Sequence, residues 1–246
     1  MKRPLLLLPP LLAVLFYLAW TDVLPGGWTL HGWVQDEGTR AAWVRSQHSK
    51  QRIRAFELER DEVAEGAIVF LGSSTVERFD LEKHFPGKHC LDRGINGDTT
   101  EEVIARLHRS LPLARPAGVF IAVGANDLRR EGRPPGLVRD ALKELLDELE
   151  QRLPGVPRTV MGLFPTRQTD VDSRKRMETL NIAIARLCVQ EGVSFISTDL
   201  KPLRATSGEL AEEYCADSSH LNEKGYAQLA EWIIERGGAV GTLLAP

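Results

Sequence analysis

The chain has 246 residues, enough for one sizeable α/β domain or for a smaller domain with an N-terminal appendage. At 43% hydrophobic and 26% charged residues it has the composition of a folded protein, which excludes a disordered or fibrous chain. A net charge of -3 leaves no basic footprint for nucleic acid, and three scattered cysteines, Cys90, Cys188 and Cys215, are too few for a disulfide scaffold or a zinc site with paired ligand spacing.

Lys2 and Arg3 precede an apolar or proline run from Pro4 to Trp20, which is a membrane-targeting pattern. At about 17 residues the run lies at the lower limit for spanning a bilayer and exceeds the core of a typical signal peptide. Tyr17-Leu18-Ala19-Trp20 puts bulky groups where a signal peptidase needs small ones. Residues 1–20 therefore read as a retained anchor in preference to a cleaved signal peptide, against the helix interruption expected at Pro9 and Pro10. With Lys2 and Arg3 held in the cytoplasm, the rest of the chain is expected on the periplasmic or extracellular side in either case, anchored or secreted. Residues 21–65 read as a linker or interfacial collar carrying Trp28, then a leading helix from about Thr39 to Glu65.

From residue 66 to 238 short β-branched runs alternate with longer helical ones, and residues 239–246 are left as a C-terminal tail. Strands are expected at Ala67–Leu71, His89–Asp92, Gly118–Val123, Arg158–Leu163 and Val193–Thr198. Helices are expected near Thr99–Leu111, Gly136–Leu153, Ser173–Glu191 and Glu223–Arg236, with Arg174-Lys175-Arg176 on a solvated face. Such alternation implies an α/β fold, a three-layer α/β/α sandwich around a five-stranded parallel sheet.

In an open parallel sheet the reactive groups gather in loops at the carboxyl ends of strands. The first strand runs into Gly72-Ser73-Ser74-Thr75, where a serine at a strand-to-helix turn is either a cap or a nucleophile. The second runs into Gly94-Ile95-Asn96-Gly97-Asp98-Thr99-Thr100-Glu101; Asp98 and Glu101 have capping-box spacing, and the Gly97 N–H suits a developing oxyanion. The third ends in Gly124-Ala125-Asn126-Asp127, where the Asn126 amide offers a second oxyanion donor or merely satisfies its own turn. Near the C-terminus Asp217 stands three residues before His220, so its carboxylate can reach Nδ1 and leave Nε2 free as a base. Each signal is weak alone. Together the four loops supply every part of an acyl-transfer site.

In this order the blocks Gly72-Ser73-Ser74, Gly97-Asp98, Gly124-Ala125-Asn126-Asp127 and Asp217-x-x-His220-Leu221 resemble those of the SGNH hydrolases, also called GDSL-like lipases and acylhydrolases. Gly94-Ile95-Asn96-Gly97-Asp98-Thr99-Thr100 is similar to the branch that includes the catalytic subunits of intracellular platelet-activating-factor acetylhydrolase. Ser73 stands where the founding motif has Asp, and matching the motif's third position selects Ser74 over Ser73 as nucleophile. The resemblance, over roughly Ala67–Arg236, implies a flavodoxin-like fold and a serine esterase with Ser74, His220 and Asp217 as catalytic triad. It also implies an oxyanion hole from the Ser74 N–H, the Gly97 N–H and the Asn126 amide, with no metal or organic cofactor. His31, His48, His84, His89 and His108 have no partner at ligand spacing. Small-molecule, glycan or lipid esters are the expected substrates. An acyltransferase with the same triad and a non-catalytic binding domain on the same fold are the competing functions, and the sequence specifies no oligomeric state.

Overall fold

A computed structural model of the chain describes residues 8–20, 37–167 and 170–246. The expected collar, from Thr21 to about Trp33 with Trp28 and His31, lies outside them, as do Lys2, Arg3, Gln168 and Thr169. Contacts divide the chain into two compact units, Met1–Lys50 and Gln51–Pro246. Helix α1 spans Leu8–Trp20 in the first unit, with Pro9 and Pro10 in its opening turn, where a missing N–H costs no internal hydrogen bond. Its 13 residues rise about 20 Å, short of the roughly 30 Å of a bilayer's hydrocarbon core. Among the described residues no helix is long and apolar enough to cross a membrane, so the transmembrane anchor expected from the sequence gains no support. The leading helix α2, Glu37–Glu59, ends six residues before the expected Glu65.

In the second unit five strands, β1 (Ile68–Gly72), β2 (Cys90–Gly94), β3 (Gly118–Ala122), β4 (Arg158–Met161) and β5 (Ser194–Ile196), form a parallel sheet in the order β2-β1-β3-β4-β5. Connecting or flanking them are α3 (Ser74–Glu77), α4 (Leu81–His84), α5 (Thr100–Ser110), α6 (Ala125–Arg129), α7 (Pro135–Arg152), α8 (Val171–Glu191), α9 (Glu223–Arg236) and α10 (Gly238–Leu244). Side chains alternate across each strand. Val69, Leu71, Val119 and Ile121 join Val103, Leu145 and Leu180 on one face, while Ile68, Phe70 and Phe120 join Phe79, Leu229 and Ile233 on the other. This is the expected three-layer sandwich. The segment left as a tail instead forms α10, which buries Val240 and Leu244 against β3 and β4.

Strand order places the switch point between β1 and β3, because the chain leaves β1 for β2 on one side and then crosses to β3 on the other. Loops diverge there and leave a crevice at the carboxyl edge. Gly72 is level with Gly94 on one neighbour and with Ala122 on the other, so three strands deliver their loops at one height. Both glycines are sterically required. A Cβ on Gly72 would lie 2.1 Å from the Ala122 carbonyl oxygen, and one on Gly94 would lie 2.3 Å from the Glu77 nitrogen. The end of α2 is held on this unit by Phe56, 2% exposed, whose ring lies under the guanidiniums of Arg52 and Arg93, each 4.9 Å from its centroid.

Candidate active site

Ser74 is the first residue of α3 and is only 7% exposed, at the level where β1 ends. Ser73 occupies the cap position without a side-chain capping bond; its N–H donates to the Ala122 carbonyl, and its carbonyl accepts from Val76 and Glu77. Ser73 is thus fixed by its backbone to the sheet. The Ser74 hydroxyl is the one that meets an imidazole, with Oγ 3.2 Å from His220 Nε2.

His220 sits in a loop that closes on itself. Cys215 and Leu221 form an antiparallel bridge, Ala216 N–H donates to the His220 carbonyl, and the Asn222 side chain caps α9 through the Gly225 N–H. Tyr226 on α9 donates its hydroxyl to the Thr75 carbonyl at 3.1 Å, which braces the loop against α3. Asp217 Oδ1 accepts the backbone N–H groups of Ser219 (2.8 Å) and His220 (2.9 Å), and Oδ2 lies 2.8 Å from His220 Nδ1. Slight burial works against the Asp217 charge, yet the Ser219 N–H and the His220 ring outweigh it and hold the carboxyl well below the usual carboxylate range. An ionised carboxylate only accepts, so Nδ1 carries the ring proton and Nε2 presents a lone pair to the Ser74 hydroxyl. Arg78 adds a looser contact to Asp217 at 3.4 Å.

The other two loops lock to each other. The expected capping box of Asp98 with Glu101 is displaced by one residue: Thr99 caps α5 and Glu102 returns to the Thr99 N–H. Asp98 is buried instead and takes the Arg106 Nε at 2.7 Å. Gly97, at φ 90°, occupies the left-handed region that glycine tolerates. Asn126 spends one amide hydrogen on the Asp98 carbonyl at 2.9 Å, which leaves its second available. Asp127, fully buried, accepts the Thr100 N–H and hydroxyl and so pins α6 to the start of α5.

Arg106 was not among the sequence candidates. Only 4% exposed, it donates to Asp98, to the Ser110 hydroxyl at 2.8 Å, and to the carbonyls of Gly72 and Arg93 at 3.0 Å each. One guanidinium thereby ties the strand leading to Ser74 to the loop carrying Gly97. Burial pushes the Asp98 carboxyl up to about 6 against the pull of Arg106. Arg106→Ala would strand that carboxylate, and a loss of about 3–5 kcal/mol is expected in urea unfolding at pH 8. The loss should shrink toward pH 5, because a raised carboxyl takes up its proton in the folded state as pH falls through about 6. An equal loss at both pH values would exclude Asp98 as the stranded group.

A cavity opens beside Ser74, walled by the ends of β3 and β4 and the first turns of α8. Thr166 and Ser173 line it. So does Arg176, which is therefore not simply on a solvated face. Asp199 stands apart, paired with Arg204 at 2.7 Å.

The GDSL-like Lipase/Acylhydrolase family profile matches residues 72–228, from the last residue of β1 into α9. Platelet-activating factor acetylhydrolase IB subunit alpha1 of Bos taurus is 27% identical over 168 residues, covering 66% of this chain and 71% of that protein. A GDSL-like lipase from Bacteroides thetaiotaomicron shares the fold with a TM-score of 0.66 at 17% identity, over 78% of this chain and 98% of its own. A mutant of an acetyl-xylooligosaccharide esterase from Geobacillus Stearmophilus does so at 0.58 and 16%, over 72% and 96%. Since the family match extends over more than half of the sequence and contains all the strand-end loops described above, the chain belongs to the GDSL-like lipase/acylhydrolase family and is a carboxylic ester hydrolase.

Proposed function

We propose that the protein cleaves small acyl esters through a covalent acyl-enzyme on Ser74, with acetylated glycans or lipids of the cell envelope as its substrate class. The observation that carries this reading is the relay from Asp217 Oδ2 through the His220 ring to Ser74 Oγ, at 2.8 and 3.2 Å. Ser74 Oγ attacks the ester carbonyl while its proton passes to Nε2. The oxyanion is met by the N–H groups of Ser74 and Gly97 and by the free hydrogen of the Asn126 amide. His220 returns the proton to the departing alcohol, and water repeats the cycle on the acyl-enzyme. An acetylhydrolase and an acetyl-xylooligosaccharide esterase among the similar proteins support acetyl as the acyl group. A fluorophosphonate probe should label Ser74, and a panel of para-nitrophenyl esters should show turnover falling with acyl length, beside release of acetate from acetylated glycans. Absence of labelling on folded protein would overturn the catalytic reading, and a preference for long chains would overturn the substrate class.

Lys2 and Arg3 ahead of the apolar run support export of the hydrolase unit, whether the N-terminal segment is kept or removed. Cell fractionation checks this. Recovery of active enzyme in the cytoplasm alone, still starting at Met1, would count against it.

A further inference from the structure

The cavity beside Ser74 has a lopsided charge. Its wall is apolar at Leu128, Met161, Leu163, Phe164 and Met177, and two arginines, Arg129 and Arg176, line it. Among the described residues no carboxylate does.

Several arginines elsewhere along this edge of the sheet are matched by acids. Arg130 pairs with Glu102 and Glu131, Arg133 with Glu101, and Arg204 with Asp199 and Glu178. Among the described residues Arg176 has no such partner and donates only to the Arg133 carbonyl, at 2.7 Å. Arg129 goes further. It ends α6, three residues after Asn126, and among the described residues its guanidinium makes neither a hydrogen bond nor an ion pair. The carboxylate whose field reaches it, Asp217, is already engaged by His220, Ser219 and Arg78. Asp170, near the cavity's α8 wall, is spent on capping α8 through the Ser173 N–H and hydroxyl.

Arg129 is exposed by surface area yet enclosed enough that desolvation, partly offset by Asp217, lowers its pKa. A guanidinium stays charged regardless. The result is an unspent planar cation, with five N–H donors, held in a concavity whose other walls are apolar or hydroxyl-bearing. Such a fork matches a carboxylate, phosphate or sulfate.

Resting on the reading of Ser74 as nucleophile, we propose that Arg129, with Arg176 also lining the cavity, makes this a site for esters that carry a negative charge on the portion entering the cavity. The apolar wall takes the body of that portion, and the guanidinium takes its anionic end. The charge can belong to the acyl chain or to the alcohol. Both sources present the same chemistry to Arg129, and two pairs of substrates separate them.

The first pair is para-nitrophenyl hydrogen glutarate against para-nitrophenyl pentanoate, with the charge on the acyl side. The second is para-acetoxybenzoate against phenyl acetate, with the charge on the alcohol side. For each pair the ratio of kcat/KM, anionic over neutral, is compared between wild type and Arg129→Gln at low ionic strength. In at least one pair the variant's ratio should fall by about tenfold or more, the worth of a charge-assisted hydrogen bond. Arg129→Glu should invert the preference, and added salt should erode it in wild type. Thermal melting checks that both variants are folded. Ratios unchanged in both pairs would overturn the proposal while leaving the hydrolase intact. Failure of wild type to turn over any of the four esters or to react with a fluorophosphonate would overturn the hydrolase reading itself, and this proposal with it.

Discussion

Alanine at position 74 is expected to abolish turnover of a para-nitrophenyl ester, with a loss in kcat on the order of a millionfold, the scale on which triad nucleophiles act. Alanine at position 73 should leave most of the activity. The two serines are adjacent but are held for different purposes. Ser73 gives its N–H to Ala122 and its carbonyl to the turn of α3, so its backbone is what the sheet edge uses. Ser74 Oγ faces Nε2 at 3.2 Å. Its own N–H, at the first position of α3, has no carbonyl four residues behind it within the helix and remains for an oxyanion. Because a Cβ at Gly72 would strike Ala122, the strand end has no slack to swing Ser73 into the place of Ser74. The comparison is made on steady-state rates, on acyl-enzyme mass in intact protein, and on melting temperature. Loss of activity in a folded Ser73→Ala protein, with Ser74→Ala still active, would reverse the assignment.

Much of this frame is readable in the sequence because the periodicities differ so clearly. All five strands fall within two residues of their expected ends, and α9 coincides with its expected bounds. What escapes the sequence is physical in each case. Asp98-x-x-Glu101 and Thr99-x-x-Glu102 are overlapping capping boxes of equal merit; Thr99 wins because Asp98 is drawn into the interior by Arg106. Arg106 itself reads as a surface residue, although its place beside Val103, Leu107 and Ser110 on the buried face of α5 is a signal that could have found it. Apart from Ser110 on its own helix, its acceptors come from β1, β2 and the β2–α5 loop, and only the folded chain brings these together. The short helix α10 is hidden by its glycines, yet Gly241 is needed because a Cβ there would lie 2.3 Å from the Ile233 carbonyl oxygen. Arg129 is obscured by the charged run Arg129-Arg130-Glu131, in which Arg130 is the arginine that finds carboxylates among the described residues.

Asp217→Asn is expected to lower kcat by about ten-thousandfold with little change in KM, while leaving the fold intact. The two carboxylate oxygens have different work. Oδ1 accepts the N–H groups of Ser219 and His220, which shape the turn, and also lies 2.9 Å from Nδ1, while Oδ2 is free of the turn and faces Nδ1 at 2.8 Å. An asparagine can keep the turn only by placing its oxygen where Oδ1 is. That places its NH2 group against Nδ1. A donor there competes with the Nδ1 proton and favours the tautomer protonated at Nε2, which cannot take a proton from Ser74 Oγ, and in either tautomer the negative charge beside the forming imidazolium is gone. The lost interaction is one that strengthens as the imidazolium forms, which is why kcat suffers and KM does not. The Asp217 carboxyl is held well below the usual carboxylate range, so its charge persists through mildly acidic pH in wild type. Loss of wild-type activity in mild acid should therefore not come from protonation of Asp217. Rates of wild type and variant across pH, with circular dichroism on the same samples, decide the matter. A folded Asp217→Asn protein with wild-type kcat would remove Asp217 from the relay, and with Asp199 already held by Arg204, the histidine would have to be working without a carboxylate partner.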